Sequence, residues 1–342
     1  MIKNIAIVSL SSGIIGENFV KHEVELGLAR LKEYGLNVKM MPHARMGIEY
    51  IRNHPKERAT DLLKAFLDDS IDMILCAIGG DDTYRLLPYL FENDELKKNV
   101  KEKIFLGFSD TTMNHLMLQK VGINTFYGQS FLTDICELDK KILPYTEHFF
   151  KELITTGKIL EIRPSNVWYE ERKDWSISAV GTPRIMHENS GFELLQGVSV
   201  FSGKILGGCL ESIYDIFDNR RYSDSALLCE KYHLFPRLSE WKNKILLLET
   251  SEEQPSPKIY REMILALKKT GIFEVISGIL CGKPMDELYF EEYKSILIEV
   301  VANPELPIVA NVNIGHAAPR CIIPFGVDAI VDVNNQRIKF KY

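Results

Sequence analysis

The sequence predicts an α/β protein in two units, an N-terminal one built on a parallel sheet and a smaller α/β C-terminal one. Apolar runs alternate with helix-period segments from residue 4 to residue 120, the rhythm of βαβ units. The runs at 72–78 and 103–108 are almost continuously apolar, as strands buried on both faces are. The pattern breaks after about residue 155 and resumes at 244, so we place the boundary at 160 and expect units 1–160 and 161–342.

In chain order, residues 4–10 are a β-branched run that ends in the turn cluster Ser11-Ser12-Gly13. Val20, Val24, Leu28 and Leu31 follow at helical spacing until Gly35, and 36–41 reads as a second strand. Residues 58–69 form a helix whose apolar stripe is Leu62, Leu63, Phe66 and Leu67. The strands 72–78 and 103–108 come next, and then a helix over 111–120. Residues 161–181 carry Trp168 and Trp175 among charged residues, and a stretch with Gly197, Gly203, Gly207 and Gly208 follows. The second α/β series has strands at 244–248, 278–281 and 307–312 and helices at 257–270 and 291–303. The tail 329–342 reads as a hairpin around Asn334-Asn335.

With 342 residues, 46% hydrophobic and 26% charged, the chain can bury about two cores and is not disordered. A net charge of −6 argues against nucleic acid and anionic membranes as partners. No apolar stretch reaches the ~20 residues of a membrane span, and the N-terminus reads as a strand rather than a signal peptide. The six cysteines are scattered without C-x-x-C spacing, which fits free thiols in a reducing cytoplasm.

Candidate chemistry sits at strand ends. Residues 104–112 run Ile-Phe-Leu-Gly-Phe-Ser-Asp-Thr-Thr, a buried strand passing through Ser109 into a helix, the setting of a nucleophile elbow. Thr111 stands where the hydrolase pattern has its second glycine, and helix capping by Ser109 or Asp110 is the plain alternative. At Ile78-Gly79-Gly80-Asp81-Asp82-Thr83 another strand ends in paired glycines that can bring backbone N–H groups close to a ligand. That segment looks like the G-G-D-G-T motif of NAD and diacylglycerol kinases, so a phosphotransferase is one reading. Asp82 in place of the last glycine would repel phosphate, and no P-loop accompanies it. A nucleophilic serine needs a base and an orienting carboxylate. Of the eight histidines, His316 lies in the small-residue loop Gly315-His316-Ala317-Ala318 after a strand, whereas His115 on the helix after Ser109 reads as structural. Glu249 ends the strand 244–248, and Glu211 after Gly207-Gly208 is its rival. No zinc motif is present, and no cofactor is expected.

These segments together resemble the LD-carboxypeptidase family of serine peptidases, which includes the microcin C immunity proteins. The likeness runs from Ser11-Ser12-Gly13 through Gly79-Gly80, Arg85-Leu86-Leu87-Pro88-Tyr89-Leu90, Gly107-Phe108-Ser109-Asp110 and Tyr127-Gly128. It continues in Gly207-Gly208-Cys209-Leu210, Ile245-Leu246-Leu247-Leu248-Glu249 and Gly315-His316. The resemblance implies Ser109 as nucleophile, Glu249 as orienting acid and His316 as general base, with the Gly80 and Asp110 amides as oxyanion hole. It also implies an N-terminal domain like that of class I glutamine amidotransferases, a smaller α/β C-terminal domain, and a homodimer. Gly79, Trp168, Trp175 and Glu211 are the expected substrate-binding residues. The substrate is either an aminoacyl-nucleotide, on whose base a tryptophan would stack, or a small peptide such as the L,D-tetrapeptide of peptidoglycan. The tryptophans and the long segment 215–241 favour the immunity branch. A silent nucleotide-peptide binding protein is a further alternative.

Overall fold

In the computed structural model, which describes residues 1–342, the first half forms five parallel strands. These are β1 (Asn4–Val8), β2 (Asn37–Met40), β3 (Met73–Cys76), β4 (Ile104–Gly107) and β5 (Thr125–Tyr127), ordered β2-β1-β3-β4-β5. All four residues of β3 are buried, as its unbroken apolar run requires. The connecting helices include Lys21–Glu33, Pro55–Leu67 and Thr112–Lys120, each close to the span its periodicity predicts. Pro55 opens the second at a position that needs no N–H donor, so this helix starts three residues before the apolar stripe suggests.

The second half supplies β6 (Glu161–Ile162), β7 (Val167–Tyr169), β8 (Met186–Glu188), β9 (Glu193–Gln196), β10 (Val200–Cys209), β11 (Ile245–Glu249), β12 (Gly278–Gly282) and β13 (Ile308–Val312). It ends with β14 (Ile323–Phe325), β15 (Asp328–Asp332) and β16 (Arg337–Lys341), the last two forming the hairpin expected around Asn334-Asn335. Eight of these strands make one mixed sheet, in the order β6-β16-β15-β10-β11-β12-β13-β9, with β10 to β13 parallel. β7 and β8 form a separate two-stranded ribbon that carries the tryptophan-bearing segment, and Tyr169 of β7 ties it to the loop after β13 by donating its N–H to Ala318 O at 2.9 Å.

The longest strand, β10, coincides with the glycine stretch that gave no strand signal. Glycine there reflects close approach of neighbouring chain rather than a turn. A Cβ on Gly208 would lie 2.4 Å from Thr112 Oγ1 and 2.8 Å from the Tyr127 ring, so β10 can pass against the first sheet only without side chains.

One strand crosses between the halves. β14 leaves the loop that follows β13 and adds antiparallel to β5, closing the edge of the first sheet. Phe325 on β14 stacks on Tyr127 with ring centroids 5.3 Å apart and meets His115 edge-on. The loop before β14, which holds His316, is therefore pinned beside the end of β4. One continuous apolar core runs through both sheets. Phe325→Ala should cost about 3–5 kcal/mol, read as a lower urea midpoint. An unchanged midpoint would mean that β14 does not tie the two halves together.

Candidate active site

β4 leads into Phe108, still extended, and then into Ser109, whose φ of +63° few non-glycine residues adopt. A tight 3-10 turn over Ser109–Thr111 follows, and then the helix Thr112–Lys120. Two hydroxyls hold this elbow: Thr111 Oγ1 donates to Phe108 O and Thr112 Oγ1 to Ser109 O, both at 2.7 Å. Asp110 turns its carboxylate away from the serine, where it accepts from Ser11 Oγ (2.5 Å), Thr83 Oγ1 (2.6 Å) and Thr83 N–H (2.9 Å). Its own N–H lies in the first turn, where no intrahelical acceptor exists. Gly79 packs against the serine so closely that a Cβ would sit 2.5 Å from Ser109 Oγ and 3.2 Å from Asp110 N. Only glycine lets that turn lie there. Asp82, at the far side of the turn, is buried against Arg58 at 2.5 Å, so it faces a guanidinium rather than a phosphate.

Glu249 ends β11 and is buried. Its Oε2 lies 2.7 Å from His316 Nδ1, and its Oε1 accepts the Tyr127 hydroxyl at 2.6 Å. The acid therefore fixes the Nδ1–H tautomer, which leaves Nε2 facing Ser109 Oγ at 3.0 Å. Gly315 is required beside it, because a Cβ would lie 2.4 Å from Glu249 Oε2. The Tyr127 hydroxyl also accepts the Ser109 backbone N–H at 3.2 Å. Arg320 steadies the histidine loop, donating from Nη2 to His316 O (2.7 Å) and from Nη1 to Asp134 (2.8 Å).

Burial by itself would lower the His316 pKa, but the Glu249 carboxylate and then Glu252 outweigh it and raise the value to about 10. Glu252 Oε2 lies 3.0 Å from His316 Nε2, the nitrogen that also faces the serine. Its hydrogen bond to His316 in turn lowers the Glu252 pKa to about 2. His115, by contrast, is buried between Thr125 Oγ1 and Gly107 O, and desolvation pushes it down to about 3, a neutral structural histidine.

A cavity of about 460 Å³ opens over Ser109 and His316. Gly79, Gly80, Trp175, Arg184, Arg320 and Glu252 line it. Trp175 is half-buried, with its backbone carbonyl 3.0 Å from His22 Nε2 and the Arg184 guanidinium 5.7 Å from its ring centroid. Neither Trp168 nor Glu211 reaches this cavity. Trp168 is buried on the ribbon, stacked on His187 at 4.4 Å under the Lys283 ammonium. Glu211 accepts from Ser251 N–H (2.8 Å) and Oγ (2.7 Å), bracing the turn after Glu249. Tyr127, Arg184, Arg320 and Glu252 were not singled out from sequence. Two of them had a local signal, since Glu252 lies three residues past Glu249 and Arg320 four past His316 in the same loops.

An elbow serine lining a cavity, with a histidine and a buried carboxylate aligned behind it, is the arrangement of a serine hydrolase. Residues 5–128 match the LD-carboxypeptidase N-terminal domain and residues 202–331 its C-terminal domain, so the chain belongs to the LD-carboxypeptidase family and is a serine carboxypeptidase. It is similar to YocD of Bacillus subtilis, classed as a carboxypeptidase (28% identical; 94% of this chain, 91% of that one). It is also similar to the microcin C7 self-immunity protein MccF of Escherichia coli (25% identical; 83% and 77%). Among solved structures, an MccF-like protein from Streptococcus pneumoniae in complex with AMP superposes with a TM-score of 0.99, at 66% identity over 100% of this chain and 99% of that one.

His316 in the unliganded protein should titrate near 10, well above the ordinary value of about 6.5, when followed by its imidazole NMR shifts. A midpoint at the ordinary value would mean that the two carboxylates do not hold its proton. Because the folded-state pKa exceeds the unfolded one, this stabilisation is complete below about pH 6.5 and is lost as pH rises to about 10. Wild type should thus lose more stability across that window than His316→Gln. Tyr127→Phe leaves Glu249 Oε1 and the Ser109 N–H without their buried partner. It should cost about 1–3 kcal/mol in chemical denaturation, and no loss would remove the hydroxyl from this account.

Proposed function

We propose that this carboxypeptidase cleaves the acyl–nitrogen bond between an amino acid and a nucleotide, with Ser109 as nucleophile, His316 as base and Glu249 as orienting acid. Ser109 Oγ attacks the acyl carbon while its proton passes to His316 Nε2. The oxyanion takes the Gly80 and Asp110 N–H groups, and His316 returns the proton to the leaving nitrogen. Water then hydrolyses the acyl-enzyme by the same relay. A division at residue 160 gives the nucleophile to the first unit and the acid and base to the second. The observation that carries the substrate reading is Trp175, which lines the same cavity as Ser109 and offers a base a stacking face. The cavity volume suits a mononucleotide, and the MccF-like protein at 66% identity was solved with AMP. We also propose a cytoplasmic homodimer, in keeping with six buried free thiols and with the family resemblance.

A second reading is removal of a terminal D-amino acid from a small peptide. Arg184 in the cavity favours it, as a cation whose Nη2 has no protein acceptor and is able to hold a terminal carboxylate.

Mass-spectrometric product analysis separates the two readings. Wild type and Ser109→Ala are each offered an aminoacyl sulfamoyl-adenosine and an L,D-tetrapeptide. Serine-dependent release of free amino acid from the nucleotide is expected. Release of D-alanine alone would replace the nucleotide reading with the peptide one.

A further inference from the structure

His316 Nε2 has two partners 3.0 Å away: Ser109 Oγ, to which it is hydrogen-bonded, and Glu252 Oε2, with which the imidazolium forms an ion pair. The carboxylate has the stronger hold on the proton, because an opposite charge at that distance favours the protonated ring and a neutral hydroxyl does not. At rest the imidazolium is therefore shared between Glu249 and Glu252, and it has no lone pair with which to take the serine proton. A base built this way works only after Glu252 has been drawn to another cation.

Glu252 stands where the main cavity meets a second one of about 280 Å³, lined among others by Arg52, Asp81, Asp82, Arg221 and Glu253. Of the arginines lining the two cavities, Arg52 alone has no carboxylate partner, and it makes no ion pair with Glu252; the others are held elsewhere. Arg221 is held by Glu253 (2.7 Å), Asp215 (3.1 Å) and Asp81 (3.8 Å). Arg58 is spent on Asp82, and Arg320 on Asp134 and the His316 carbonyl. Around the junction, carboxylates outnumber the arginines. The local field favours a cationic ligand group beside the carbon that Ser109 attacks.

We infer that Glu252 is the specificity residue for a substrate ammonium on the carbon next to the scissile carbonyl, and that binding this ammonium takes Glu252 off His316 and frees the base. The step balances. The ammonium replaces the imidazolium as partner of the carboxylate, the Nε2 proton leaves to solvent, and Nε2 then accepts the Ser109 proton. An amino acid joined through its carboxyl group alone carries that ammonium, whereas an internal residue of a peptide has an uncharged amide nitrogen in its place. The inference rests on the nucleotide reading and names the group on the acyl side of the substrate.

The test compares kcat/KM for aspartyl, glutamyl and alanyl sulfamoyl-adenosines with that for their Nα-acetyl derivatives, in wild type and Glu252→Gln. Wild type should favour the free amines by on the order of 10- to 100-fold, the range for losing a charged hydrogen-bond partner. Glu252→Gln should bring the ratio close to one while the acetylated compounds are cleaved at least as fast as by wild type. Its unliganded His316 should titrate lower than in wild type, a change that a merely structural glutamate would not produce. A variant that keeps the free-amine preference overturns the role of Glu252 and leaves the nucleotide reading standing. Wild type that cleaves none of the nucleotides but does cut the L,D-tetrapeptide overturns both.

Discussion

The buried pair of Glu249 and His316 is the constraint on which the rest of the site depends. An ionised carboxylate with no exposed surface is tolerable only if both oxygens find strong donors. One donor is the His316 imidazole on the loop after β13, and the other is the Tyr127 hydroxyl on β5. The acid thus stands between the two sheets and needs both. β14 supplies the geometry, because by pairing with β5 it fixes the histidine loop beside the tyrosine. Removing either donor leaves a buried charge half satisfied, which makes the juncture cooperative rather than a set of separate contacts.

The strain at Ser109 belongs to the same arrangement. A serine at φ +63° costs energy that the surrounding contacts must offset. Here they come from Thr112 on the following helix, from Tyr127 accepting the serine N–H, and from Asp110 reaching back to Ser11 and Thr83. Tyr127 thereby touches both the proposed nucleophile's backbone and the proposed orienting acid, so a shift in one is felt by the other. Gly79 and Gly315 complete the fit by leaving out side chains that would collide with Ser109 and Glu249.

The strand–helix rhythm and the rule that sites form where strands end made Ser109, Glu249 and His316 legible from sequence, since each stands at or just past the end of a parallel strand. Three things were not legible. β10 carries glycines where a strand usually carries branched residues, because its neighbours come too close for side chains. Trp168 and Trp175 lie in one polar segment, and nothing local separates them. Trp168 falls within β7 and packs on His187 of β8, while Trp175 lies beyond the paired part of the ribbon and reaches the cavity. Glu252 is one of two adjacent acidic residues, and only the fold shows which one meets His316.

The placement of these residues also separates chemistry from recognition. The proposed triad and oxyanion hole are built from strand ends and tight turns, where the backbone is held by two sheets. The residues that would read the leaving group come from the ribbon between the halves, and the ribbon has its own anchor. Glu137 is buried and accepts from both Arg172 (2.9 Å) and Arg184 (2.8 Å), while His22 holds the Trp175 carbonyl from the helix Lys21–Glu33. Arg184 is thus oriented at one end by Glu137 and Glu171 and presents its guanidinium to the Trp175 ring. None of these contacts touches Glu249 or His316. The ribbon meets the His316 loop through one backbone bridge, Tyr169 N–H to Ala318 O, so changes around Trp175 and Arg184, away from that bridge, can alter which leaving group fits without disturbing proton transfer. The acyl side is different: there the recognising carboxylate, Glu252, shares a nitrogen with the proposed base, His316, so that acyl recognition and activation of that base are one event.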